Sequence, residues 1–175
     1  MVVANSKGPR PIGESIGLLF GGLWCHLGAT SLPHGLQLPV DGLGIAVTLG
    51  LLVVLWRQRD RVASGTGMFR RRGYLVAVVV EGLAIFGVTV LMPRYGLQTY
   101  LVQAVGAIVG LHFVGLWQAT RDVRFLWIAG CMCGVSALAA LLPGAMGGFD
   151  ARNAVTGLGN AIVLWVCAGL PRKAR

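Results

Sequence analysis

The chain is poor in charge and poorest in acid. Of its 175 residues only 12% are charged, and six aspartates and glutamates stand against fifteen lysines and arginines. Soluble domains carry about 25% charged residues, so a water-facing surface would be short of solvating groups by roughly half. So few carboxylates also leave little to hold magnesium for phosphoryl chemistry. Neither a Walker loop nor a His-Glu-x-x-His motif occurs. The four cysteines, Cys25, Cys131, Cys133 and Cys167, all fall inside apolar runs without a Cys-x-x-Cys spacing. A disulfide scaffold is therefore not indicated. Cys131 and Cys133 are two apart, roughly 200° around a helix, and cannot share a metal ion there. No cofactor or metal is expected.

What the chain has instead is apolar length. It is 55% hydrophobic with a mean hydropathy of +0.74, more apolar surface than one small soluble core can bury. Six apolar runs, at 12–32, 39–56, 73–92, 97–120, 125–142 and 152–170, are separated by short breaks rich in Pro, Gly and Arg. Each is about 18–24 residues, and at 1.5 Å per residue a helix of that length crosses the hydrocarbon of a bilayer. The expectation is an all-α polytopic membrane protein, a six-transmembrane-helix bundle forming one integral membrane domain over residues 1–175. A cleaved leader is the rival reading of the first run, since Lys7 and Arg10 precede it. Glu14, the four glycines between Gly13 and Gly22, and His26 make a poor leader core, so a retained helix is expected.

Orientation follows from one stretch. Arg57–Arg72, RQRDRVASGTGMFRRR, places Arg57, Arg59, Arg61, Arg70, Arg71 and Arg72 between two apolar runs, against one aspartate. The positive-inside rule puts this loop in the cytoplasm. With six spans, both termini are then cytoplasmic, and of the fifteen basic residues only Arg94 and Arg152 fall outside. Trp56, Trp117 and Trp127 sit at the inner ends of their runs, where amphipathic rings settle. The net charge of +9 thus reads as topology in a cell (plasma) membrane protein, and a nucleic-acid partner is not expected. The lipid bilayer is the first partner, and anionic headgroups at the basic loop gain about 1 kcal/mol per basic residue.

Polar residues inside such runs are the candidates for function, because a charge at a helix centre costs about 2.5–3.5 kcal/mol on insertion scales. Glu81 lies eight residues into the third run, too deep for a short side chain to reach the interface. It is either a proton- or cation-binding carboxylate or a glutamate hydrogen-bonded to a neighbouring helix. His112 sits at nearly the same depth in the fourth run and titrates near neutral pH. A Glu81–His112 pair would relay protons, provided the two helices meet. Glu14 opens the first run, where an acidic residue also suits a helix amino terminus. In the sixth run Asn153, Thr156, Gly157 and Asn160 follow i, i+3, i+4, i+7 and share one helical face. Such a stripe lines either a helix contact or a wet cavity. Asp41, Gly44 and Thr48 draw a shorter one on the second run. Small residues four apart, Gly13, Gly17 and Gly21, Gly106 and Gly110, Gly130 and Gly134, are positions where helices can pack closely in lipid.

Two function classes are compatible with this pattern. The first is a small transporter or channel for a small solute, proton-coupled through Glu81 and His112 and lined by the sixth-run stripe. Six short helices enclose little space, so a homodimer is expected in that case. The alternative is a non-transporting assembly or regulatory subunit acting through helix–helix and lipid contacts. An enzyme is not expected. The serine motif of rhomboid proteases is broken at Ala137, where Gly134-Val135-Ser136 should be followed by glycine, and the last run lacks the histidine that chemistry needs.

Overall fold

The computed structural model describes residues 12–58, 72–145 and 149–169. Six α-helices account for nearly all of them: α1 Ile12–Ala29, α2 His34–Arg57, α3 Arg72–Arg94, α4 Leu101–Thr120, α5 Arg124–Ala140 and α6 Ala151–Gly169, with a 3₁₀ turn at Gln98–Tyr100 before α4. No strand is present among the described residues. Three helical stretches are long and apolar enough to cross a membrane: His34–Arg57, Gly73–Arg94 and Gln98–Thr120. α5 is apolar but shorter.

The bounds differ from the apolar runs in ways local chemistry explains. α1 stops at Ala29, three residues early, where the Thr30 and Ser31 hydroxyls both donate to the Leu27 carbonyl and compete with the helix. α2 starts at His34 and takes Pro39 into its second turn instead of beginning there. Proline costs a helix one hydrogen bond, but this end is held from outside. The Gln37 amide donates to the carbonyls of Thr30 and Leu32, tying the connection back onto the helix. α3 runs through Pro93 to Arg94 and ends where Gly96 adopts φ +71°. Leu97 N–H then donates to Met92 O at 2.9 Å, the six-to-one bond of a Schellman end that favours glycine.

Successive helices run in opposite directions, and the packing has an inside and an outside. α1 and α6 pack most intimately, closest at Gly28 and Gly157. There the two backbones touch, and a Cβ on Gly28 would lie 2.7 Å from Leu158 N. α4 and α5 form the second close pair, with α5 also against α6 and α4 lying over α6. α2 flanks α1, and α3 flanks α4. The core is correspondingly central: Trp24 and Cys25 from α1, Ile128 and Met132 from α5, Ala161 and Leu164 from α6. No residue of α3 is buried, and its Leu75, Val79, Leu83 and Phe86 are all more than half exposed. The helices with the strongest apolar character are therefore peripheral, and the more polar α1 and α6 are interior.

Candidate functional site

Glu81 and His112 meet. Glu81 lies about 14 Å along α3 from its start and His112 about 12 Å back from the end of α4, at 1.5 Å per residue. Because the two helices are antiparallel neighbours, these depths coincide. His112 Nδ1 stands 3.3 Å from Glu81 Oε2, in ion-pair contact but outside hydrogen-bond geometry. The histidine side chain is one-tenth exposed and the glutamate one-fifth. The close approach is local packing: Gly115, one turn after His112, lets Ala77 in, and a Cβ there would be 2.9 Å from that of Ala77. A carboxylate and an imidazole at this distance share charge or a proton according to which of them is ionised.

The pair stands in the wall of a cavity of about 270 Å³ at the end of the bundle where α1, α3 and α5 begin and α4 and α6 finish. Gly13, Glu14 and Gly17 bring a second carboxylate into the lining from α1, and Tyr74 contributes a phenol from α3. Phe20, Phe113 and Phe125 supply aromatic walls, the last two stacked at 6.1 Å. Asp122 and Arg124 also border the space, with Arg124 Nε 3.4 Å from Asp122 Oδ1. On the opposite side of the α3–α4 contact, Glu81 and His112 also line a groove of about 560 Å³. The pair thus separates two spaces.

The chain matches no known protein family, curated protein or solved structure. What the site can do therefore rests on its own geometry.

The sixth-helix stripe lies elsewhere. Asn153, Thr156, Gly157 and Asn160 line neither of these spaces, because α4 and α1 close over that face. Gln103 Nε2 of α4 donates to Asn153 Oδ1 and to Thr156 Oγ1, each at 3.0 Å, while Thr156 Oγ1 donates to Arg152 O. Asp150 caps α6, its two carboxylate oxygens accepting from the Asn153 backbone N–H and side-chain amide. Gly157 is a backbone contact with α1. Asn160 is fully buried beside Gly106 and Ser136. Neither amide atom of Asn160, nor the Ser136 hydroxyl, nor Gln103 Oε1 has a hydrogen-bond partner among the described residues. The glycines also divide. Gly17 and Gly21 abut Ala168 and Trp165 of α6, and Gly106 and Gly110 abut Ser136 and Cys133 of α5. Gly130 and Gly134 meet nothing within 4 Å, so α5 packs through its other face. Of the basic loop, Arg57 ends α2 exposed and Arg72 opens α3; Arg59, Arg61, Arg70 and Arg71 lie outside the described residues.

Three polar positions gained importance only in three dimensions. His26 Nδ1 of α1 is 3.0 Å from Asp41 Oδ2 of α2, a second acid–imidazole pair, in the other half of the bundle and largely exposed. The Asp41, Gly44, Thr48 stripe faces α1, and this pairing is what its first member does. Arg152 is buried, with Nε and Nη2 donating to the Leu142 carbonyl and its guanidinium 4.2 Å above the Tyr100 ring. Gln103 is the third, a lone amide near the start of α4 whose partners were 50 and 53 residues away.

Proposed function

We propose that this protein is a small proton-coupled transporter of the cell membrane, built as six spans with both termini in the cytoplasm. One observation carries the reading: Glu81 and His112, far apart in sequence, stand 3.3 Å apart in the wall of an internal cavity. A scaffold has no need of a paired acid and base at a void, where each forgoes a well-formed hydrogen bond. A carrier needs such groups, because a proton and a cation compete for one carboxylate and the loss of one accompanies the gain of the other. Retention of a costly intramembrane carboxylate fits that use. The positive-inside rule supports the orientation, and the cavity then opens toward the cytoplasm. The exposed apolar faces of α2 and α3 suit a homodimer in which two such cavities lie side by side.

The alternative, a non-transporting assembly or regulatory subunit, is favoured by a different observation. The Asn160 cluster is dry, buried and apart from the cavity, as interhelical polar contacts in a structural bundle are. The two readings separate on proton release from purified protein in detergent as small inorganic cations and amines are added. Transport predicts release from the wild type and none from Glu81→Gln. No release from either, with Glu81→Gln merely melting at a lower temperature, would favour the structural subunit.

A further inference from the structure

The cavity is too large and too apolar for a bare ion. At about 270 Å³ it is near the lower edge of small-molecule pockets, about 300–1,000 Å³, and far exceeds the roughly 30 Å³ share of a single water. Its walls are mainly hydrocarbon and aromatic, with Phe20, Phe113 and Phe125 among them. Its polar groups are not balanced in charge. Asp122 is met by Arg124 at 3.4 Å, which leaves Glu14 and Glu81 as the acidic lining against the imidazole of His112. That imidazole is nine-tenths buried, lines the cavity, and has no hydrogen-bond partner for Nδ1. An anion would face two carboxylates, and a neutral hydrocarbon would leave both desolvated without compensation.

We infer that the cavity bounded by Glu14, Glu81, His112 and the three phenylalanines binds a small organic monocation, an amine or quaternary ammonium carrying an apolar or aromatic group. The cationic head lies among the carboxylates and the ring faces, which attract cations through their quadrupoles, and the apolar group fills the remaining volume. The inference rests on the transport reading for its purpose and not for its chemistry. In exchange terms, the site holding a proton takes up one cation and releases that proton to solvent, so charge balances and no further reactant is needed.

The probe is phenyltrimethylammonium, whose charge is permanent, with tert-butylbenzene as its neutral isostere, in protein reconstituted in lipid nanodiscs. Calorimetry should show saturable binding of the cation that weakens at least tenfold in Glu14→Gln and in Glu81→Gln, and weakens in the wild type as pH falls. The isostere should not displace it. Glu14→Gln, at the start of α1, carries the test alone if Glu81→Gln does not assemble. Absence of cation binding, equal displacement by tert-butylbenzene, or unchanged affinity in correctly folded Glu14→Gln would each overturn the inference. Proton release driven by inorganic cations without phenyltrimethylammonium binding would sink this inference while sparing the transporter. Binding without proton release would do the reverse.

Discussion

At the scale of single residues, the most informative groups are those whose polar atoms are buried, because burial makes their partners decisive. Arg152 is an example. It enters the first turn of α6, where the helix dipole disfavours a cation, yet its guanidinium closes the α5–α6 connection by donating to Leu142 O, and to Thr99 O at 3.4 Å. Charged hydrogen bonds contribute about 1.5–3 kcal/mol each, so Arg152→Met should lower stability by about 2–4 kcal/mol in a detergent melting assay. Arg94→Met, at an exposed site, should shift it by less than about 0.5 kcal/mol. Within the α4–α6 interface two neighbouring polar groups should respond oppositely. Gln103→Leu removes two donated bonds and should cost about 1–3 kcal/mol. Ser136→Ala removes a buried hydroxyl that has no partner and should be neutral or stabilising by about 1 kcal/mol. Equal losses from both would mean that the hydroxyl is satisfied in the protein.

At the scale of elements, what could be read in the sequence depended on how local its cause was. Helical runs and their approximate ends follow from apolar length and from Pro and Gly, and the described helices fall within a few residues of them, apart from the earlier start of α2. That start depends on Gln37 reaching back to Thr30 and Leu32, a contact no pattern displays. Glu81 and His112 stand out as polar residues in apolar runs, but their meeting depends on Gly115 letting α3 approach α4. The i, i+3, i+4, i+7 stripe of α6 is correctly one face, whereas whether that face is wet depends on which helix covers it. Small residues are the sharpest case of this limit. Gly130–Gly134 and Gly106–Gly110 have the same spacing and adjacent helices, yet one pair meets open space and the other meets Ser136 and Cys133. Gly157→Val should therefore disrupt the α1–α6 contact, lowering the melting temperature sharply and reducing folded yield. Gly130→Val should leave the isolated chain nearly unchanged, and a loss of oligomer from Gly130→Val on size-exclusion chromatography would identify that face as a contact between copies.

At the scale of the whole molecule, the bundle is unevenly attached. α1, α4, α5 and α6 form a continuous packed body, while α3 rests on α4 and on the turn at 98–100, with the cavity between it and α1. Elements with few buried contacts are where motion costs least, and α3 carries Glu81. Alternating access to the acid–imidazole pair would then arise from α3 tilting against α4, which opens the space on one side of Glu81–His112 as it narrows the groove on the other. Fastening the two helices tests this directly. A Cβ at Gly115 would lie 2.9 Å from that of Ala77, whereas a disulfide needs about 3.5–4.5 Å, so Ala77→Cys with Gly115→Cys requires the helices to part by less than about 2 Å. In a background with Cys25, Cys131, Cys133 and Cys167 replaced by alanine, oxidation should abolish solute-driven proton flux in liposomes and reduction should restore it. Binding of the solute at equilibrium should survive oxidation, since the cavity lining stays in place. Undiminished flux in the oxidised protein would show that α3 and α4 move as one and that the path opens between α3 and α1 instead.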